Sequence, residues 1–372
     1  LSNLFFARIS MLQRKLRVIV ADVIPKDLAK IDEEKHFAEL VRLVETLGGM
    51  TVVKIIQKRG QPSGKTYLGT GKAVEVGEAA QELKCDAVVV NGILKGNQIF
   101  ELSSRIPVMV WDRVDLILRI FEKHASTTSA KLQVKRARLK YDIPKLYRRA
   151  STTLFERERG GGVIQRGAGE TGIEAEKRHI LREIKVIDAK IDRLKILRGN
   201  QRAARRRQNL LTVALVGYTN SGKSTLLSNL TGKKNVFVAD KLFATLDPRL
   251  GSLWLPKIRK KVLLADTIGF IEKLPPDLIA AFRATLEEVR EADLLLHIFD
   301  AAEDRKEIRR KQKVVREILK DLKADQNPQI LVANKIDLGD NSGQNSLKIS
   351  AATGAGFSKL RAAIERKISR PK

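Results

Sequence analysis

Residues 211–225 read LTVALVGYTNSGKST, and the way that stretch is read decides the fold. Leu211–Val216 has the length and β-branched content of a buried strand. It breaks at Gly217, and from there the chain fits G-x-x-x-x-G-K-[ST], a phosphate-binding loop. Glycines let successive backbone N–H groups curl around phosphate oxygens, and the helix expected next adds the positive end of its dipole. The expected cradle is Gly217, Tyr218, Thr219, Asn220, Ser221, Gly222, Lys223, Ser224 and Thr225. Within it, Lys223 should reach the outer phosphates and the Ser224 hydroxyl should take a Mg²⁺ ion. A strand running straight into such a loop and a helix makes residues 209–372 an α/β domain.

Working outward, the strand KVLLAD ends in Asp266, an acid at a strand tip and therefore the expected second anchor for Mg²⁺, through water. Thr267 and Ile268 lead to Gly269, whose N–H is available to a γ-phosphate. Upstream, Phe243, Ala244, Thr245, Leu246 and Asp247 lie in LFATLDP, where Thr245 is placed to close over metal and γ-phosphate. A loop held only while that phosphate is present is a switch. The catalytic set is then Lys223, Thr245 and Gly269, with Ser224, Thr245 and Asp266 on the metal. In Ras-like GTPases the position after the glycine holds the glutamine that orients the attacking water. Here it is Phe270, so turnover by the protein alone should be slow.

Base choice is expected from Asn334, Lys335, Ile336 and Asp337 at the end of another strand. Asp337 can accept from both N1 and N2 of guanine; adenine offers no such donor pair, which can discriminate by about 10⁴-fold. Ser350, Ala351 and Ala352 close over the base, so the nucleotide is GTP.

The whole chain has 372 residues, enough for two or three cores, with 43% hydrophobic and 31% charged residues. No apolar run approaches the roughly 18–20 residues that cross a bilayer. Cys85 is the only cysteine, which excludes an internal disulfide and a cysteine-rich zinc site. At the entry to an apolar strand it is a structural thiol. His36, His124, His179 and His297 share no motif and are not read as ligands or bases. Net charge is +28, and Lys135 to Leu210 alone carries 22 Lys/Arg against 9 Asp/Glu. Clustering on that scale points to nucleic acid. The start, LSNLFFARISMLQRKLRVIV, has no acid before Asp22; a non-Met start or fragment is the simpler reading, an organellar transit peptide the other.

Three segments follow. Residues 1–124 alternate strands (LRVIVADV, MTVVKIIQK, DAVVVNG, PVMVWD) with helical patterns, a small parallel α/β domain. GTGK at 69–72 follows no buried strand and is a helix-entry turn. Residues 125–208 form a basic helical arm. Ile173, Ile180, Ile187 and Leu194 recur every seven residues with Ile184 and Ile191 offset, a coiled-coil seam whose partner should run through Leu132, Leu139 and Leu146. Between the helices lies RGGGVIQRGAGETG, where Arg157, Arg159 and Arg166 with Gly160, Gly161 and Gly162 are candidate RNA contacts. In residues 209–372 the strands are LLTVALVG, KVLLAD, ADLLLHIFD, NPQILVANK and SLKIS.

FERERGGGVIQRGAGET, FATLDP and DTIGFIEKLPPDLIAAFRATLEEVREADLLLH resemble the HflX family of ribosome-associated GTPases. TYLGTGKAVEV and VDLILRIFEKHASTTSAKLQVKRARLKY are similar to that family's amino-terminal domain and the start of its arm. The resemblance covers nearly the whole chain. It implies a Ras-like P-loop domain, and a monomeric cytoplasmic protein that binds the large ribosomal subunit and its RNA with GTP. The implied activity is separation or rescue of stalled or idle ribosomes, with the arm reaching toward the peptidyl-transferase region. Two departures stand out. Val114 stands where the family usually has threonine after an Asp-Arg pair. The chain stops soon after the last GTPase helix, where many members carry a further carboxyl-terminal domain, which puts in doubt a contact made by that domain. Assembly of immature large subunits, or an RNA-binding module using GTP only as a ligand, are the competing readings; the Mg²⁺ set argues against the second.

Overall fold

The computed structural model describes residues 14–26, 33–159, 168–232, 242–243, 249–272, 278 and 283–369, with the backbone alone for 147–159, 168–171, 173 and 283–285. The chain divides into two compact units, Leu1–Lys123 with Arg138–Lys185, and His124–Ala137 with Val186–Lys372. The amino-terminal stretch considered as a transit peptide, residues 1–13, lies outside the described residues.

In the first unit β1 (Leu16–Ile24), β2 (Gly49–Lys58), β3 (Ala87–Val90) and β4 (Met109–Asp112) form a parallel sheet in the order β2-β1-β3-β4. From Val18 to Ile24 every β1 residue is buried, as a strand covered on both faces requires. Helix α1 (Glu33–Leu47) turns Phe37, Leu40, Leu43 and Val44 inward at helical spacing. Gly69 caps α2 (Thr70–Glu82), so GTGK is a helix entry. Cys85 is buried just before β3. Helices α3 (Gly96–Ser103) and α4 (Arg113–His124) complete the domain.

At the carboxyl ends of β1 and β3, Asp22 is buried among three partners: His36 Nε2 at 2.8 Å, the Tyr67 hydroxyl at 2.7 Å and the Asn91 amide at 3.0 Å. Burial pushes its carboxyl up, but the hydrogen bonds from His36 and Tyr67 outweigh that and hold it below the ordinary value.

The arm consists of α5 (Thr128–Arg159) and α6 (Ala168–Arg207), and each contributes residues to both units. On α6 the heptad expectation holds where side chains are described. Ile184 and Ile187 are buried and Ile180, Ile191 and Leu194 half-buried, whereas Leu181, Val186, Ile196 and Leu197 are exposed. The partner face needs correction. Leu146 is buried, but Leu132 and Leu139 are only half-buried, and Ala130, Gln133, Val134 and Ala137 are the buried residues of the first turns. Arg136 ion-pairs with Asp188, joining the two helices within the second unit. In the first unit Tyr141 bonds Asp112, and Arg138 bonds Asp115 and Glu122.

The second unit holds a six-stranded sheet ordered β10-β9-β8-β5-β7-β6. Its strands are β5 (Leu211–Gly217), β6 (Arg249–Leu255), β7 (Lys260–Asp266), β8 (Leu294–Asp300), β9 (Gln329–Asn334) and β10 (Leu347–Lys348). All neighbours are parallel except β6, which runs antiparallel to β7. The strand pattern of the sequence misses β6. Its inward positions are Gly251, Leu253 and Leu255, and the glycine breaks the apolar alternation. A Cβ on Gly251 would lie 2.6 Å from Thr231 of α7 (Lys223–Thr231). Helices α8 (Arg283–Arg290), α9 (Arg305–Asp321) and α10 (Phe357–Ile368) complete the unit. Leu226, Leu230, Leu253, Val262, Leu296, Leu360 and Ile364 share its core. No described helix is long and apolar enough to cross a membrane.

Candidate nucleotide site

Every described residue of this site belongs to the second unit. The buried strand β5 delivers the loop Gly217–Gly222, and α7 starts at Lys223. Gly222 has φ +88°, and a Cβ there would lie 2.1 Å from the Asn334 amide. Only glycine fits that conformation and that approach. Across the cradle, a Cβ on Gly269 would meet the Thr219 Cα at 2.9 Å and Lys223 Nζ at 3.1 Å. The loop and the DTIG segment therefore touch through backbone. Phe270 N–H donates to Gly217 O at 3.1 Å, and Thr219 N–H donates to Phe270 O at 2.7 Å.

Lys223 Nζ donates to the carbonyls of Tyr218 at 2.7 Å and Gly217 at 3.1 Å. Burial pushes this ammonium down to about 8; nearby Asp266 raises it and Lys335 lowers it further. Phosphate oxygens placed beside it would restore the charged form, because opposite charge favours ionisation. Nucleotide binding at about pH 8.5 should therefore take up a fraction of a proton. Calorimetry in buffers of different ionisation enthalpy reads this directly, and Lys223→Arg, which stays charged, should abolish the dependence. Heats independent of the buffer in the unmutated protein would rule the linkage out.

The Ser224 hydroxyl donates to the fully buried Asp266 at 2.6 Å. A hydroxyl and a carboxylate, both hard oxygen donors, meeting beside the phosphate loop fit Mg²⁺. Thr267 Oγ donates to Leu215 O at 2.6 Å, pinning the end of β7 to β5. Ala244, Thr245, Leu246 and Asp247 lie outside the described residues, while Phe243 is buried.

Asn334 does more than its place in NKID suggests. Its amide donates to Ser221 O at 2.8 Å, and its carbonyl accepts from Ala351 N at 2.7 Å. One buried side chain thus ties the phosphate loop to the segment at Ser350–Ala352. Leaving these partners unsatisfied would cost about 1–3 kcal/mol each. Lys335 is left-handed (φ +64°) and ion-pairs with Asp300 at 2.8 Å. Asp337 is exposed at the rim.

Three functional contacts escaped sequence reasoning. Asp300, at the end of β8, holds Lys335; an acid closing an apolar strand was the available signal. The Tyr218 hydroxyl accepts from Glu272 N at 2.9 Å, and nothing in the motif announced that. At the arm's end, Arg202 bonds Glu287 at 2.9 Å, Arg205 bonds Glu288 at 3.0 Å and Arg206 bonds Glu291 at 2.7 Å. His297 is buried, and its imidazole is pushed down to about 4 by burial, with Arg316 and Lys223 adding to it. It is neutral at pH 7. Of the arm candidates, Arg157 and Arg159 lie on the α5 backbone, and Gly160, Gly161, Gly162 and Arg166 fall outside the described residues.

A mixed sheet with a phosphate loop after its central strand and a guanine-type rim at β9 defines a P-loop GTPase. The family profile described as "50S ribosome-binding GTPase" matches residues 212–335, and the profiles "GTP-binding GTPase N-terminal" and "GTP-binding GTPase Middle Region" match 34–122 and 124–205. GTPase HflX of Caldanaerobacter subterraneus subsp. tengcongensis is 43% identical over 340 residues, 91% of this chain and 78% of that protein. GTPase HflX of Escherichia coli strain K12 is 38% identical over 341 residues, 89% of this chain and 78% of that protein. The chain belongs to the HflX GTPase family. Among solved structures, the crystal structure of SsGBP with GDP aligns with a TM-score of 0.53 at 22% identity, covering 94% of this chain and 98% of that one. At that identity the likeness concerns the fold.

Proposed function

We propose that this GTPase acts on the large ribosomal subunit and uses GTP to split or rescue stalled or idle ribosomes. Three working segments are assigned: 1–124, the arm 125–208 and the GTPase domain 209–372. The nucleotide is held by the phosphate loop, by Phe243–Asp247 and Asp266–Gly269, and by Asn334–Asp337 with Ser350–Ala352. Ser224, Thr245 and Asp266 hold Mg²⁺, which neutralises charge on the outer phosphates when bound. Lys223 and the Gly269 N–H steady the transferred phosphoryl group. The protein works in the cytoplasm as a monomer.

The observation that carries this reading is the ion-pair ladder from Arg202, Arg205 and Arg206 to Glu287, Glu288 and Glu291. It joins the basic arm to α8, the helix that follows the DTIG segment. Glu287 and Glu288 are buried, so parting these pairs is costly. An arm seated on RNA can thereby bias the segment that senses γ-phosphate. The relatives' profile, named for 50S ribosome binding, supports the same partner. Sucrose-gradient profiles of purified ribosomes with this protein test the action: GTP, or a non-hydrolysable analogue, should convert joined ribosomes to subunits. Unchanged profiles, with binding only to immature large subunits, would favour assembly instead.

Neutralising Arg157, Arg159 and Arg166 together should weaken ribosome binding and reduce its log–log salt slope by about one per lost phosphate contact. GTP affinity should not change. Unaltered ribosome affinity in the triple variant would reduce the glycine-rich loop to a linker.

A further inference from the structure

The β6–β7 hairpin reaches the nucleotide site only through Asp266, the last residue of β7; its turn end has no part in that site. From Arg249 to Ala265 it carries five cations, Arg249, Lys257, Arg259, Lys260 and Lys261, and no acid. Among the described residues none of the five is held in an ion pair. Trp254 is 56% exposed, and Leu250 on the same face is 41% exposed. In the antiparallel register Trp254 stands opposite Lys261, so the two side chains leave the same face of the hairpin as a cross-strand pair. Leu253 and Leu255, on the other face, are core. The turn lies at the far end of the seven-residue β7 from Asp266, about 20 Å from the nucleotide site.

A bland role for the cations exists. β6 is an edge strand, and charge on an edge deters pairing with other chains. An exposed tryptophan works against that purpose, and among the described residues the Glu365 carboxylate near the turn accepts from the Lys257 backbone N–H at 3.1 Å, with no ion pair to any of the five side chains. A π-face flanked by cations on a two-stranded ribbon is what single-stranded nucleic acid uses: bases stack and phosphates pair. We propose that the β6–β7 hairpin is a contact for single-stranded RNA, with a base stacked on Trp254 and adjoining phosphates held by Lys257, Arg259, Lys260 and Lys261. It goes beyond the ribosome reading and requires only an unpaired strand.

The chain has two tryptophans. Trp111 is buried under the Arg119 guanidinium, 4.2 Å from the ring centroid, so surface quenching reports on Trp254. The full chain is titrated at low salt with an oligouridylate of about twelve nucleotides, within the span of known single-strand sites. Tryptophan emission should quench saturably, and Trp254→Phe should lose the signal. Anisotropy of the labelled oligonucleotide should show Trp254→Ala binding about fivefold or more weakly. Replacing Lys257, Arg259, Lys260 and Lys261 by Gln should lower the salt slope by up to about three, at about 0.7 per phosphate contact on a single strand. GTP affinity serves as the folding control and should stay constant in each variant. Binding without quenching, no binding, or full affinity in Trp254→Ala would overturn the proposal. Competition by polyglutamate as strong as by unlabelled oligouridylate would overturn it in favour of an acidic protein partner. Ribosome co-sedimentation is scored separately: if it persists while oligonucleotide binding fails, this inference alone falls.

Discussion

Purified large ribosomal subunits are expected to raise single-turnover GTP cleavage by this protein about 10³-fold or more, since charge stabilisation and water positioning supply most of phosphoryl-transfer catalysis. The physical ground is Phe270. Its ring is 2% exposed, and its backbone is bonded to Gly217 and Thr219 of the phosphate loop. The position that could carry a water-orienting glutamine therefore carries a core residue. Introducing Gln at 270 should not accelerate the free enzyme; it would bury an amide where packing wants a ring, and stability should fall. Thr245→Ala should block cleavage even with subunits present, by uncoupling metal, γ-phosphate and loop closure. Rapid cleavage by the unmutated protein alone would mean that a resident group already positions the water.

Exchanging Asp337 for Asn is expected to cost GTP about 10⁴-fold in affinity while gaining xanthosine triphosphate, because a site built to accept from one base edge rejects the other. The amide can donate to the xanthine O2 that a carboxylate repels. Neighbouring geometry supports a local effect. Lys335 is fixed by Asp300, and Asn334 by Ser221 and Ala351, so the exposed Asp337 can change without disturbing the loop. Competition binding with GTP, ATP and xanthosine triphosphate measures the switch. Equal competition by ATP and GTP in the unmutated protein would sink the guanine assignment.

The chemistry of the nucleotide site was legible in the chain because its signals are contiguous. LTVALV followed by GYTNSGKST specifies strand, loop and helix within fifteen residues, and DTIG and NKID each sit at the end of one apolar run. The heptads of α6 and the alternation of the first domain are local patterns of the same kind. What only the tertiary structure decided depends on which strand lies beside which, and an apolar run carries the same periodicity in any sheet order. Asn334 meets Ser221 because β9 follows β8 and β5 in the sheet, across 113 residues. β6 was hidden because Gly251 answers to Thr231 on α7, not to its own strand's pattern. The arginine ladder onto α8 joins residues 85 and 83 positions apart, each an unremarkable surface charge when read singly. Trp254 and Lys261 became neighbours only through the register of β6 on β7. Local periodicity set the elements and the motif chemistry; register and sheet order, fixed by long-range packing, decided which side chains act together.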